Sequence, residues 1–137
     1  MTFEFTPIEY KNLNPRQQEN YNFQKFAGRL ADYGFNCLRL TDDWKGADFI
    51  AIHAESEHIL KVQLKGRLTI AKKYINKNLH IAFRNEKEFY IYRHDEMLCW
   101  IDMNEKATQT KSWLDRGLYD YKNLSSKMKT KLKDYKI

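Results

Sequence analysis

Two alternating segments, Ala47 to His53 and His58 to Lys65, flank the four-residue stretch Ala54-Glu55-Ser56-Glu57. Runs of this length and alternation read as strands, and so short a connection joins them as a hairpin. This pair constrains the fold more than any other stretch, because a hairpin's register follows from its connection. If His53 faces His58, the numbers of opposed residues sum to 111, and Asp48 lies opposite Gln63. Opposed side chains share a face with Cβ atoms about 4.5–5.5 Å apart. A one-residue slip would send every side chain to the other face. On this register Ile59, Lys61, Gln63 and Lys65 share one face, while Leu60, Val62 and Leu64 form an apolar face suited to burial.

The remaining elements are arranged around that hairpin. Asn14-Pro15 opens a first helix, with Asn14 as N-cap, Pro15 at the first helical position and Gln17 as capping-box partner. Phe23, Phe26, Ala27 and Leu30 recur at helical spacing, and Glu19 falls on the same face. Gly34 closes the helix as a C′ glycine. Phe35 to Leu40 reads as the first strand, followed by a polar loop from Thr41 to Gly46 in which Asp42 and Asp43 are turn residues. Further strands are expected at Leu68 to Tyr74, Leu79 to Phe83, Phe89 to Tyr92 and, more weakly patterned, Leu98 to Ile101. Beyond Asn104 the pattern turns helical, around Trp113 and Leu114 and again along Leu124, Met128, Leu132 and Tyr135. This order predicts an α/β (α+β) domain with a mixed β-sheet flanked by helices.

At 137 residues the chain is expected to be one domain, with a core over about 14–103 and a helical segment over about 104–137. Hydrophobic residues make up 42% and aromatics 15%, which excludes a largely disordered chain. No apolar run long enough for a membrane span and no secretory signal pattern is present. A cytoplasmic location is expected, with no membrane partner. Cys37 and Cys99 lie in apolar stretches and are expected as buried free thiols. A formal charge of +6 points toward an anionic partner, most often nucleic acid. The histidines lack the spacing of a zinc site, and no glycine-rich phosphate loop or nucleophile elbow is present.

The face shared by Asp48, Gln63 and Lys65 therefore gathers an acid, an amide and a lysine at one end of a hairpin. A carboxylate and an amide oxygen together can hold a hard divalent cation with water completing the shell. A neighbouring lysine can position the attacking water or stabilise charge developing on a phosphate. Lys45, Arg67, Lys72 and Lys73 lie near this point in the sequence and are candidate phosphate contacts.

This layout resembles the PD-(D/E)XK nuclease superfamily, which has the restriction-endonuclease-like fold. The matching residues are Glu19, Gly34-Phe35, Lys45-Gly46-Ala47-Asp48-Phe49-Ile50-Ala51-Ile52 and Val62-Gln63-Leu64-Lys65. Junction resolvases and homing endonucleases share the layout. The resemblance implies a helix glutamate at Glu19 and a metal-binding aspartate at Asp48. It places Gln63, Leu64 and Lys65 at the acid–variable–lysine positions. Ala47 replaces the usual proline, and Gln63 replaces the usual acid. The implied activity is Mg²⁺- or Mn²⁺-dependent endonucleolytic hydrolysis of DNA. Asp48, Gln63 and the Leu64 carbonyl would serve as metal ligands, and Glu19, Asp48, Gln63 and Lys65 as the catalytic set. RNA remains a possible substrate and a homodimer an implied assembly. Two alternatives stand beside this reading: an inactive nucleic-acid-binding domain of the same fold, and a protein-interaction subunit.

Overall fold

The computed structural model describes residues 2–137. Helix α1 (Pro15–Ala31) starts with a reciprocal capping box. The Asn14 side chain accepts the Gln17 N–H, and Gln17 Oε1 accepts the Asn14 N–H, both at 2.9 Å. Two of the donors left open at a helix start are thereby satisfied. Phe26 and Leu30 are the buried residues of α1, and Gly34 (φ 86) turns the chain after it.

Five strands form the main sheet: β1 (Phe35–Trp44), β2 (Ala47–His53), β3 (Ile59–Leu64), β5 (Leu79–Asn85) and β6 (Glu88–Arg93), in the order β1-β2-β3-β5-β6. Neighbours are antiparallel except β3 and β5, which run parallel. The fold is the mixed α+β arrangement expected, and the hairpin register holds. Phe49 pairs with Val62 and Ile50 with Lys61, both summing to 111, and His53 N–H reaches the His58 carbonyl.

The sheet divides two apolar clusters. On one face α1 packs Phe26 and Leu30 against Phe49, Ala51, Val62, Ala82 and Phe89. On the other, Leu79, Ile81, Phe83 and Tyr92 meet α2 (His94–Asn104) through Met97 and Ile101, and α3 (Ser126–Leu132) through Met128 and Leu132. A small second sheet pairs β4 (Thr69–Ala71) with β7 (Leu118–Asp120) beneath the same cluster.

Several expectations are corrected. The Leu98–Ile101 stretch is helical, within α2. Met97 and Ile101 lie one turn apart on its buried face, and Asp95 and Glu96 sit in its first turn where the helix dipole favours acids. The strand expected over 68–74 stops at Ala71 and continues as a 3₁₀ turn, Lys72–Tyr74. The stretch beyond Asn104 is not wholly helical, since it contributes β7. The loop expected over 41–46 is mostly strand. β1 runs on to Trp44 and turns through Lys45 (φ 53) and Gly46 (φ 89). Two successive positive φ values suit the right-handed twist of a two-residue hairpin turn. Cys37 is half-buried, but Cys99 is exposed on α2. No helix of the described residues is long and apolar enough to cross a membrane.

Candidate active site

A cleft of about 440 Å³ opens where the β1–β2 turn meets the end of β3, and Asp48, Gln63 and Lys65 all line it. Asp48 and Gln63 are opposed one step beyond the Phe49–Val62 pair. The Asp48 carboxylate is fixed by its neighbour strand: Oδ2 accepts the Leu64 N–H at 2.8 Å. Gln63 Nε2 lies 3.4 Å from the Leu64 carbonyl oxygen, so the amide, the carbonyl and the acid converge. Lys65 Nζ stands 5.6 Å from the Tyr74 ring centroid, a cation–π contact that holds the ammonium over the cleft.

Burial pushes the Asp48 carboxyl up from the usual carboxylate range. The Leu64 N–H and the Lys65 charge oppose that, while Glu19 and Asp43 add to it. The cleft therefore holds one partly desolvated acid whose charge is steadied by a backbone donor and a lysine. Burial likewise raises the Tyr74 phenol, against the pull of Lys73.

The other sequence candidates divide. Lys45 and Lys73 line the cleft. Lys72 does not: the 3₁₀ turn rotates it onto Trp113, with Nζ 5.6 Å from the ring, in a separate groove beside Asp115 and Arg116. Arg67 is exposed on the turn after β3, its carbonyl accepting the Thr69 hydroxyl. Glu19 is exposed rather than part of the buried helix face. The buried face of α1 starts only at Phe26, and Glu19 reaches past it to Arg39 of β1 at 3.7 Å. It acts on Asp48 through its charge rather than by contact.

Tyr74 and Lys77 line the cleft without having been singled out from the sequence, and Asp43, read there as a turn residue, lines it too. Asp43 arrives through an irregularity in β1. Arg39 pairs with Phe49 and Trp44 with Ala47, so β1 carries three more residues than β2 between these pairs. Such an insertion bends an edge strand and re-aims its side chains. An acidic pair beside the hairpin turn was the available signal.

No family model matches the chain, and no curated protein matches it. Two solved structures to which the chain is similar are nucleases. One is a Holliday junction resolvase from Archaeoglobus fulgidus, 12% identical, with a TM-score of 0.40, covering 51% of this chain and 74% of that one. Another is a bacterial homing endonuclease, 18% identical, with a TM-score of 0.45, covering 62% of this chain and 69% of that one. The functional reading rests on the cleft.

Among the described residues no three His, Cys, Asp or Glu side chains converge on one point. The groups gathered beside the Leu64 backbone are the Asp48 carboxylate and the Gln63 amide, whose nitrogen faces the Leu64 carbonyl, and each of the three residues carries a hard oxygen. Mg²⁺ is typically held by only one or two carboxylates and keeps several waters, so this sparse set fits it. The one acid–imidazole pair among the described residues is committed elsewhere. His94 Nε2 accepts the Ala71 N–H at 3.0 Å, leaving Nδ1–H to donate to Asp95 Oδ1 at 2.9 Å.

Proposed function

We propose that the chain is a divalent-metal-dependent DNA endonuclease of the restriction-endonuclease-like type. One observation carries the reading: Asp48 and Gln63 face each other across β2 and β3 with Lys65 in the same cleft, ringed by lysines. Mg²⁺, when bound, would polarise the scissile phosphate and neutralise its developing charge. Asp48, Gln63 and the Leu64 carbonyl would hold it. Lys65 orients the attacking water or stabilises the transition-state oxygens, since its ammonium lies beside Asp48 without being consumed by an ion pair among the described residues. Lys45, Lys73 and Lys77 add positive charge that draws the phosphodiester backbone into the cleft. A second copy of the chain would present a second cleft to the opposite strand.

The test is incubation of pure protein with duplex, single-stranded and branched DNA, and with RNA, in Mg²⁺, Mn²⁺ or EDTA. Binding and cleavage are resolved on the same samples. Cleavage in Mg²⁺ that disappears in EDTA, in D48A and in K65A supports the assignment. Intact cleavage in either variant overturns it. A second reading, nucleic-acid binding without cleavage, draws on the lone carboxylate of the donor set. It predicts salt-sensitive binding and no cut product in either metal.

A further inference from the structure

A second hollow, of about 130 Å³, lies on the α1 side of the sheet and shares Lys65 with the cleft. Its lining includes Arg84, at the end of β5. The parallel pairing of β3 and β5 sets Leu64 beside Ala82, and the Lys65 N–H donates to the Ala82 carbonyl at 2.9 Å. Arg84 is two residues on, on the Ala82 face, so it leaves β5 at the end where Lys65 leaves β3. Gly66, next to the shared Lys65, lines the second hollow and presents no side chain. A Cβ there would meet nothing within 4 Å, so the passage over it is open.

Arg84 is held without being paired. Its guanidinium carbon stands 5.1 Å from the Tyr21 ring centroid, 5.4 Å from Tyr10 and 5.6 Å from Phe89. Among the described residues it has no carboxylate within ion-pair distance and no hydrogen-bond acceptor, although Glu86 stands at the rim of the same hollow. By contrast Arg29, also half-buried, and the exposed Arg39 are both committed. Arg29 donates to the Ile137 carbonyl at 2.9 Å, and Arg39 pairs with Glu19. A guanidinium stacked on aromatic faces keeps its edge of N–H donors in a fixed fork, the geometry that matches phosphate oxygens. An unpaired guanidinium lying over aromatic rings at the edge of a hollow leaves its N–H donors free to take an anion from outside.

We infer that Arg84 binds a backbone phosphate of the nucleic acid whose neighbouring phosphate enters the Asp48–Lys65 cleft. The strand would cross the end of the sheet over Gly66, held on one side by Arg84 and on the other by Lys65. The inference rests on the nucleic-acid reading of the cleft and adds the path of the strand. Arg84 is a backbone contact and carries no sequence preference.

The experiment measures duplex binding in EDTA over a series of KCl concentrations, for the wild-type chain, R84Q and R84K. R84Q is expected to bind about 10-fold more weakly at low salt, with the slope of log Kd against log[KCl] smaller by about one. R84K is expected to keep the slope and recover only part of the affinity, because an ammonium lacks the bidentate fork. Melting temperatures check the fold. If R84Q melts early, R84M, which keeps the stem over the rings, replaces it. Wild-type-like affinity and slope in the charge-removing variant overturn the inference while leaving the nuclease reading in place. Loss of slope in R84Q from a wild-type chain that binds but never cuts supports the inference and overturns the nuclease reading. Absence of nucleic-acid binding by the wild type overturns both.

Discussion

Replacing Tyr92 by Phe removes one oxygen and tests how the small β4–β7 sheet is attached to the body. Leu68 and Lys72 turn their backbone groups toward Tyr121 and Gly117. By the alternation of an antiparallel ladder, Thr69 and Ala71 turn theirs the other way. Side chains meet them there. The Tyr92 hydroxyl donates to the Thr69 carbonyl at 2.6 Å and accepts the Thr69 N–H at 3.0 Å. His94, two residues on, accepts the Ala71 N–H at 3.0 Å. Tyr92 and Thr69 are both 1% exposed, so water cannot replace the hydroxyl. Phe keeps the ring and leaves almost no cavity, which isolates the polar loss. A buried backbone group left unsatisfied costs about 1–3 kcal/mol, so two groups on Thr69 give about 3 kcal/mol after partial relaxation. Urea unfolding measures this as a lower midpoint at unchanged slope. Amide exchange at Thr69 should accelerate more than at Ala71, whose partner is intact. A loss below about 1 kcal/mol would refute the claim that Tyr92 stands in for a missing strand.

Three further outcomes follow from the same structure. The His80 imidazole is pushed down to about 4 by burial and then by Arg93, and burial also lowers His94 against the pull of Asp95. In the unfolded chain both titrate near the usual 6.5, so the unfolded state takes up protons first. Stability should be level above about pH 7 and fall as pH drops from about 6.5 toward 4. Urea midpoints at four pH values check this, and a midpoint that rises on acidification refutes it. Q63E places a second carboxylate opposite Asp48. Without metal it should melt below wild type through like-charge repulsion, and Mg²⁺ should raise its melting temperature more than the wild type's. Gly46 has φ 89, and a Cβ there would lie 3.3 Å from Leu79 Cδ2. G46A should cost about 1–2 kcal/mol by thermal melting and, on the nuclease reading, reduce cleavage by shifting the turn that carries Lys45.

How much of this was legible in the sequence depends on the range of the interaction involved. The hairpin register was legible because four connecting residues and two-residue alternation leave one pairing that buries Phe49, Ala51 and Val62 together. The Asp48–Gln63–Lys65 face follows from that register alone. The α1 start was legible because capping is local to Asn14, Pro15 and Gln17. Leu98–Ile101 was misread because four residues fit either period; only with Met97, and with acids at the helix start, does the helical pattern emerge. Lys72 was misplaced because an uninterrupted strand over 68–74 would put it on a different face from the one a 3₁₀ turn gives. Glu19 has the right helical phase, but phase does not say where the sheet beneath the helix ends. Asp43 depends on extra residues in β1, and the β4–β7 pairing joins segments some fifty residues apart. Neither has a local signature.

The charge around the cleft bears on why so sparse a donor set could serve a nuclease. Four lysines, Lys45, Lys65, Lys73 and Lys77, line it against two aspartates, Asp43 and Asp48. A cation entering alone would meet a net positive surface and a single well-placed carboxylate. A phosphodiester entering with it reverses both terms, neutralising lysines and supplying further hard oxygen donors. On the nuclease reading, affinity for metal and for nucleic acid must therefore be coupled, and the coupling is reciprocal. The wild-type chain should show little change in melting temperature with Mg²⁺ alone and should bind Mg²⁺ more tightly once DNA is present. Gln63 is then consistent with function rather than a mark of its loss. A second acid at that position would load the metal before substrate at the expense of the metal-free fold, whereas on the nuclease reading an amide leaves completion of the site to the strand that is to be cut.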